Sequence, residues 1–349
     1  MSPLIALPLL ALTTLIALAC AVLLPITVHV VPQLAAHIGF AMGVLPLILA
    51  AVVYFVPVLT RGRSAGVELM WIPMVAMVAG LMAVLGFARE LSALLFSLSA
   101  GLAGIATLGL AGWTSIRTRR MFGPRHRGLD WYLAALGFLL LASLAAGLMP
   151  WLPAQRDALR LFHLHANLLG FVGLTAIGTL QVLLPTCLAR ADPDAGGRLR
   201  RDIGWATASA LLVSASASLA PVLALVGAVG YGVVVVRMLN AWRRQFGASL
   251  LQLHGAAPAL AASAAGLLGL LVLGVAHGFG WMSARPAIAG FVIAFLLPMV
   301  SGAAAYLLPI WLRPGSQGSW HHTLRARLCR WGGLRGLVLL VLGLAITCF

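Results

Sequence analysis

Five histidines lie in or beside the same end of the apolar segments of this chain, and their residue type suits metal chemistry. They are His29, His37, His163, His165 and His277. Imidazole is costly to place in hydrocarbon, so a histidine inside a membrane-spanning helix is by default a candidate for a functional site. Imidazole is also the commonest metal ligand among side chains. Several histidines at one depth therefore predict a bound metal ion or haem.

The densest group is the pair His163 and His165, which opens an otherwise apolar run. Positions i and i+2 of a helix point about 200° apart, so the two imidazoles cannot easily face one metal. They could serve two sites on opposite faces, or one could bind a metal while the other forms a hydrogen bond. Asn167 is a further polar residue that could orient a liganding imidazole.

The composition is that of a membrane protein. The 349 residues are 62% hydrophobic and 9% charged, and the mean hydropathy is +1.05. Apolar runs of 18 or more residues recur along the chain, and each can cross a bilayer. We therefore expect an all-α polytopic protein of the bacterial cytoplasmic (inner) membrane, with the lipid bilayer as its partner. Four scattered cysteines predict neither a disulfide framework nor a zinc site.

The apolar runs predict eleven membrane-spanning helices, within a range of ten to twelve. The first run carries no basic leader, so it is interpreted as a retained helix and not as a signal peptide. The division between the seventh and eighth spans depends on Pro221 alone. The predicted spans are residues 4–24, 30–59, 69–88, 91–113, 130–150, 160–189, 203–221, 222–241, 251–276, 286–312 and 332–349.

The charged residues predict which side of the membrane each connection faces. The net charge of +16 could suit nucleic acid, but all 23 basic residues are arginine and their placement marks topology instead. Nineteen arginines lie in alternate connections, and the other side has only Arg89, Arg156, Arg160 and Arg285. Because cytoplasmic connections carry the excess positive charge, the N-terminus is expected inside and the C-terminus outside. No nucleic-acid partner is expected.

On this topology His37, His163 and His165 lie about 5–10 Å below the outer boundary of the membrane. Membrane cytochromes usually take imidazole ligands for haem iron from two facing helices. His37 and one histidine of the sixth span match that arrangement by depth. A haem in this layer would direct its propionates at arginine side chains, which pair well with carboxylates. The arginines on this side are Arg89, Arg156, Arg160 and Arg285.

The remaining histidines lie nearer the membrane surfaces. His29 and His277 are close to the outer interface, and with a sixth-span histidine they could form a copper site. Met282 follows five residues after His277 and could add a soft ligand. The predicted inner connections contain three more histidines beside arginine, interpreted as surface residues: His126, His321 and His322.

The second, sixth and tenth spans resemble one another. Each contains a Gly-Phe pair and ends near a proline, and Pro57, Pro185 and Pro309 recur at intervals of 128 and 124 residues. Parallel repeats of this kind predict units related by an axis along the membrane normal. Shared apolar composition is the alternative explanation. The expected architecture is one transmembrane domain, 1–349, of pseudo-threefold four-helix units at 1–120, 130–244 and 251–349.

The string His163-x-His165-x-x-x-x-Gly170-Phe171, followed by Pro185, resembles the helix with the His-x-His motif in the haem–copper oxidase superfamily. The shorter NnrS family, haem- and copper-containing membrane proteins associated with nitric oxide stress, is similar over more of the chain. The resemblance covers most of the topology but only about 40 residues of motif. It implies a b-type haem, with copper as a second metal that the family would allow.

Three departures from the superfamily limit what the resemblance implies. The tenth span has no histidine, and no His-His pair lies within a span. The seven acidic residues all lie at span ends or in connections, whereas a proton pump needs titratable groups in the membrane core. Any oxidoreductase activity of the haem–copper type is therefore expected without proton pumping.

The sequence favours a haem protein that binds or redox-processes a small diatomic such as nitric oxide in the outer half of the bilayer. The alternative is a transporter or chaperone for copper or another small solute, using the same histidines. A structural or assembly subunit with incidental histidines is a third hypothesis. The electron donor and the oligomeric state stay open, a homo-oligomer included.

Overall fold

The computed structural model describes residues 3–28, 30–89, 92–283 and 286–348, and within them it contains helices and no β-strand. The all-α class is therefore confirmed. The principal helices are α1 (Pro3–Thr27), α2 (Pro32–Leu59), α3 (Trp71–Arg89), α4 (Ala93–Arg119), α5 (Gly128–Leu148), α6 (Pro153–Cys187), α7 (Ala195–Ser216), α8 (Pro221–Phe246), α9 (Ala256–Gly278), α10 (Ala287–Leu312), α11 (Ser319–Cys329) and α12 (Gly332–Cys348).

Ten segments of the described chain are long and apolar enough to cross a membrane. They are α1 to α6, α8 to α10 and the segment Ser319–Cys348, which contains α11 and α12. The chain is therefore a multi-pass membrane protein. The predicted span 203–221 is not among the ten, because the first two turns of α7 contain three arginines and Asp202. The break expected at Pro221 is present, and that proline is the first residue of α8.

The chain divides into two compact units. The first consists of Met1–Gly178 and Thr207–Gly227. In it each helix from α1 to α6 packs against the next one along the chain, as expected where connections are short. Ile72 and Trp131 are among its fully buried side chains.

The second unit consists of Thr179–Ala206 and Ala228–Phe349. There α9 packs against α10 and α12, and α10 packs against α11 and α12. Tyr231, Trp242 and Phe295 are fully buried in this unit. The division falls within α6, α7 and α8, so these three helices contribute residues to both units.

A wider, π-helical turn interrupts α2, α6 and α10, the three helices in which the sequence suggests a repeat. The turns are Ile38–Val44, Ala166–Gly173 and Phe291–Leu296. Hydroxyl groups lie against two of them: Thr14 Oγ1 is 2.9 Å from the carbonyl oxygen of Gly43, and Ser263 Oγ is 2.9 Å from that of Phe295. π-helical turns are frequent at functional sites. In α2 and α6 the turn begins directly after a histidine, which marks these two positions as candidates for a site.

The three recurring prolines have a common position in the last turn of their helices. The carbonyl oxygen of Pro57 accepts a hydrogen bond from Gly62 N–H at 3.0 Å, and that of Pro185 accepts one from Arg190 N–H at 3.1 Å. In both helices the residue before the donor has a positive φ, 52° and 50°. This is the Schellman arrangement, in which a left-handed residue ends a helix and satisfies its last carbonyls.

Candidate functional site

His37 of α2 and His163 of α6 face each other in the first compact unit. Their ring centroids are 6.3 Å apart, and the ring planes are within 8° of parallel. His37 closes the first segment of α2, directly before the π-helical turn at Ile38–Val44. Both side chains are half-buried. Two histidines that the sequence assigns to one depth therefore also lie close together.

His163 is held against the neighbouring helix α5. Its Nδ1 atom is 2.9 Å from the carbonyl oxygen of Ala142. A carbonyl can only accept a hydrogen bond, so Nδ1 must carry the proton and Nε2 retains a lone pair. The amide nitrogen of Asn167 donates to the carbonyl oxygen of His163 at 2.8 Å and lies 3.4 Å from each ring nitrogen. The ring is thus fixed by contacts from two helices.

A close helix crossing makes the bond from His163 to α5 available. Gly170 lies within the π-helical turn that follows His163, and a Cβ atom there would be 2.3 Å from the ring of Phe138 on α5. Only a residue without a side chain leaves room for the side chain of Phe138 at this crossing. The glycine that the sequence motif contains therefore has a packing role beside the site.

His37 is oriented by its own helix. Its Nδ1 atom donates to the carbonyl oxygen of Gln33, four residues earlier, at 2.7 Å. Nε2 is again the ring nitrogen with an available lone pair. The ring of Phe87 on α3 lies 4.7 Å from that of His37, and Phe96 of α4 lies 4.8 Å from Phe87. The surroundings of His37 are thus aromatic and apolar on this side.

The spacing of His37 and His163 fits two ligands on opposite sides of one metal ion. With a metal–nitrogen bond of about 2 Å on each side and each nitrogen roughly 1 Å from its ring centre, the centroids would be roughly 6 Å apart. The observed distance is 6.3 Å. Liganding histidines also typically donate their other ring N–H to a carbonyl or carboxylate, which fixes the tautomer. Both histidines meet that condition.

Two of the arginines expected near a haem lie on the same face of α6 as His163. Arg156 and Arg160 precede His163 by seven and three residues, which places all three along one stripe of the helix. Arg160 Nε is 3.5 Å from Asp157 Oδ1, and both of these side chains are exposed. An exposed pair of this kind is weak, so Arg160 can readily exchange this partner for another anion.

The other two arginines of the predicted layer are less well defined. Arg89 is the last residue of α3 and is exposed, two residues after Phe87, whose ring contacts His37. Arg285 lies outside the described residues, and so does His29. The contribution that the sequence predicts for those two residues therefore stays a prediction.

His165 and His277 are each bonded to a nearby backbone carbonyl. His165 Nδ1 donates to the carbonyl oxygen of Leu161 in its own helix at 2.8 Å. His277 Nδ1 donates to the carbonyl oxygen of Met282 at 2.9 Å. The sequence suggested the sulfur of Met282 as a soft ligand in a metal site, whereas the contact that Met282 makes to His277 is through its backbone.

Clusters of three or more potential metal ligands are absent from the part of the chain that the structure describes. This finding covers the side chains of histidine, cysteine, aspartate and glutamate. The described residues thus provide an imidazole pair and not the larger ligand set of an all-protein copper site. A haem, which supplies four nitrogen ligands itself, requires no more than such a pair.

One of the histidines that the sequence assigns to the surface is buried. His321 is 6% exposed; its Nδ1 accepts a hydrogen bond from Gly318 N–H, and its Nε2 lies 2.8 Å from the carbonyl oxygen of Arg313. The expectation was wrong because the local fold around Gly318 covers the ring. His126, in the connection before α5, is half-buried, and burial together with the charge of Arg61 lowers its pKa.

A buried ion pair that the sequence did not indicate lies in the second unit. Arg198 makes two hydrogen bonds to the carboxylate of Asp192 and a third, of 3.3 Å, to Oε1 of Gln181. The side chains of Arg198 and Asp192 are 10% and 3% exposed. Burying two opposite charges is tolerated when each is fully paired, as here.

Asp202 is a second buried carboxylate in the same unit, at 2% exposure. It accepts hydrogen bonds from Arg201 and, at 3.2 Å, from Arg237. Both buried carboxylates are therefore neutralised by arginine. Neither resembles the unpaired acid of a proton path.

The described residues of the candidate site form a two-imidazole arrangement with the tautomer of each ring fixed and with arginines along one adjoining helix face. No family model matches this chain, and no curated protein matches it either.

Proposed function

We propose that this chain is a membrane haem protein in which the imidazoles of His37 and His163 would hold one b-type haem. The observation that carries the proposal is the near-parallel ring pair with centroids 6.3 Å apart. The hydrogen bonds from Nδ1 of each ring to a carbonyl oxygen leave a lone pair on each Nε2 atom, and the Nε2 of His163 also lies 3.4 Å from the amide nitrogen of Asn167. The same bonds raise the basicity of the imidazoles as ligands.

The face of α6 next to His163 suits a large planar group. No residue from Arg156 to His165 is buried against the rest of the chain. Arg156 and Arg160 lie on the stripe that continues from His163, where they can pair with haem propionates. Arg89 is a third candidate for such pairing because it follows Phe87, which contacts His37.

When bound, the haem supplies one-electron chemistry and an iron that can take a small diatomic as ligand. The chain contributes the imidazoles, their orientation and an apolar environment that includes Phe87. The role that fits these contributions is binding or redox processing of a diatomic such as nitric oxide, as the resemblance to the NnrS family implies. Because Asp192 and Asp202 are paired with arginine, we propose any oxidoreductase activity without proton pumping.

The direct test is the absorption spectrum and pyridine haemochrome assay of the full-length protein, purified in detergent from haem-replete bacterial cells. We expect a Soret band, b-type haem at about one per chain, and an altered spectrum in His37→Ala and His163→Ala. His322→Ala is the matched control, because His322 is an exposed histidine distant in sequence from the pair. Protein from such cells without a Soret band would end the proposal.

Copper is the second candidate, since two opposed imidazoles are also a suitable ligand pair for copper(I). The observation that favours it is the same ring pair, which needs no third protein ligand for a linear site. Metal analysis of the same sample separates the two possibilities. About one copper per chain without haem, lost in His37→Ala and in His163→Ala, would favour a copper transporter or chaperone.

A further inference from the structure

The two imidazoles of the candidate site are held in unequal ways, and this difference assigns them different roles. We propose that His163 is the permanent axial ligand and that His37 is the exchangeable one, which a neutral diatomic molecule displaces. The inference rests on the proposed haem function. It adds which side of the iron the diatomic reaches and which part of the chain moves.

His163 is tied to a second helix. Its Nδ1 donates to Ala142 of α5, and the amide of Asn167 contacts both its backbone and its ring. The residues that follow are well packed, because Ala166 and the stretch 169–173 of the π-helical turn are buried. Moving this ring would break a hydrogen bond between helices and disturb the crossing at Gly170. His163 is therefore the ligand that stays in place.

Among the described hydrogen bonds, the one that the His37 ring makes stays within the short helical segment that carries His37. Its acceptor, the carbonyl oxygen of Gln33, belongs to the same six-residue segment Pro32–His37. Ala35 is the one buried residue of that segment. His37 and its acceptor can therefore move together, and the hydrogen bond on Nδ1 is kept during the movement.

The backbone after His37 confines the movement to the segment that carries it. The π-helical turn Ile38–Val44 begins at the next residue, and its residues Gly39, Gly43 and Val44 are buried. The segment Pro32–His37 can therefore shift while the turn keeps its packing. The remainder of α2 stays fixed, because Leu49, Val53 and Val56 are fully buried.

The side chains that surround the position of the His37 ring determine which kind of small molecule can replace it. The ring of Phe87 lies 4.7 Å from the imidazole of His37, and Phe96 packs behind Phe87. An apolar, aromatic wall disfavours anions, because their desolvation is not compensated there. It accepts small uncharged molecules such as nitric oxide, carbon monoxide or dioxygen.

Replacing the imidazole of His37 by a diatomic molecule requires no oxidant or reductant. The bond between the metal and Nε2 of His37 breaks, and the imidazole leaves as a neutral base with its proton still on Nδ1. The diatomic supplies its own lone pair to the vacated position. No proton and no electron is transferred in this step.

The test compares His37→Ala with His163→Ala in the purified full-length protein, using haem content, the ferric and ferrous spectra, and stopped-flow binding of carbon monoxide as probe. We expect His37→Ala to keep at least about four-fifths of the wild-type haem, to change from a six-coordinate low-spin to a five-coordinate high-spin spectrum, and to bind carbon monoxide at least about tenfold faster. His163→Ala should lose most of its haem.

Size-exclusion profiles show whether each variant is folded. In His163→Gly, added imidazole should restore haem binding if the protein is folded and only the ligand is missing. Haem retained by His163→Ala but lost by His37→Ala would overturn the inference, and so would equal losses in both variants. Wild-type protein without haem would instead contradict the proposed function itself, so the two failures are distinguishable.

Discussion

The Nδ1 atom of His163 donates a hydrogen bond to the carbonyl oxygen of Ala142, 2.9 Å away on the neighbouring helix. This bond fixes the tautomer of the ring and links His163 to the crossing of α5 and α6. The position of the proposed metal ligand therefore depends on how closely two transmembrane helices approach. Residues that set that approach should affect the site although they do not touch the metal.

Gly170→Ala should separate α5 from α6 and weaken the site. The new Cβ atom would meet the ring of Phe138 at 2.3 Å, and overpacking of this kind costs about 1–3 kcal/mol. We expect a lower thermal unfolding midpoint and a severalfold lower haem content, measured by fluorescence-detected size exclusion and haemochrome assay. Gly104→Ala on α4 is the control, because a Cβ there would meet nothing within 4 Å. Equal behaviour of the two variants would contradict the role of the crossing.

Neutralising the arginine stripe on α6 should weaken haem retention without unfolding the protein. Arg156→Gln combined with Arg160→Gln removes two exposed positive charges from the face that carries His163. We expect roughly two- to thirtyfold weaker retention, since each of the two exposed pairs contributes about 0.2–1 kcal/mol. The haem midpoint potential should also fall, because lost positive charge stabilises the ferric form.

Transfer of haem to apomyoglobin measures retention, and spectroelectrochemistry measures the potential. Arg119→Gln combined with Arg120→Gln is the control, since both residues are exposed at the far end of α4. If the α6 double variant retains haem as the control does, these arginines do not bind the propionates.

Arg198→Ala should destabilise the second unit strongly. It leaves the buried carboxylate of Asp192 without its charge partner, and breaking a buried pair in this way costs about 3–5 kcal/mol. The thermal midpoint should drop by several degrees. Arg200→Ala, an exposed arginine two residues away, should change stability by no more than about 0.5 kcal/mol. A small effect of Arg198→Ala would show that the buried pair contributes little to stability.

Acidification should destabilise the protein partly through His126. Burial and the nearby charge of Arg61 lower the pKa of His126 in the folded chain below its ordinary value of 6.5. The unfolded chain therefore takes up the proton first as the pH falls. The stability contribution is complete above about pH 6.5 and is lost as the pH falls from there through the lower folded pKa.

His126→Gln removes this titration, so its thermal midpoint should fall less than that of the wild type between pH 7 and pH 5. Thermal scans in matched buffers at constant ionic strength provide the measurement. His322→Gln should keep the wild-type pH dependence, because His322 is exposed. A wild-type slope in His126→Gln would assign the effect to other groups.

Much of the helical framework follows from composition and spacing. Runs of apolar residues predict where helices lie, and charge predicts where they stop, so the predicted bounds of α2, α5 and α10 are close to those observed. The seventh span differs, because Asp202 and three arginines lie inside α7 and not in the connection before it. A helix can contain charges when other parts of the fold neutralise them, and spacing alone does not reveal those partners.

The candidate site was accessible from the sequence only in part. Depth along the helices suggested His37 and either His163 or His165 as neighbours, and the fold brings the ring centroids of His37 and His163 to 6.3 Å. The sequence could not indicate that the carbonyl oxygen of Ala142 accepts the hydrogen bond from His163, because every residue has a backbone carbonyl. The burial of His321 was missed for a similar reason, since its partners at Gly318 and Arg313 are backbone groups. The recurring Gly-Phe pair lies in or at the start of each π-helical turn, but the pair by itself does not predict a wider turn.

The π-helical turns at Ile38–Val44, Ala166–Gly173 and Phe291–Leu296 have a consequence for how such a chain can change over evolutionary time. A single extra residue rotates everything before it by about 100° relative to everything after it. Deleting one residue within such a turn would restore a regular helix, leave the membrane span intact and turn the preceding side chain away from its partner. The binding group of one helix could then be lost in one genetic step without loss of the fold.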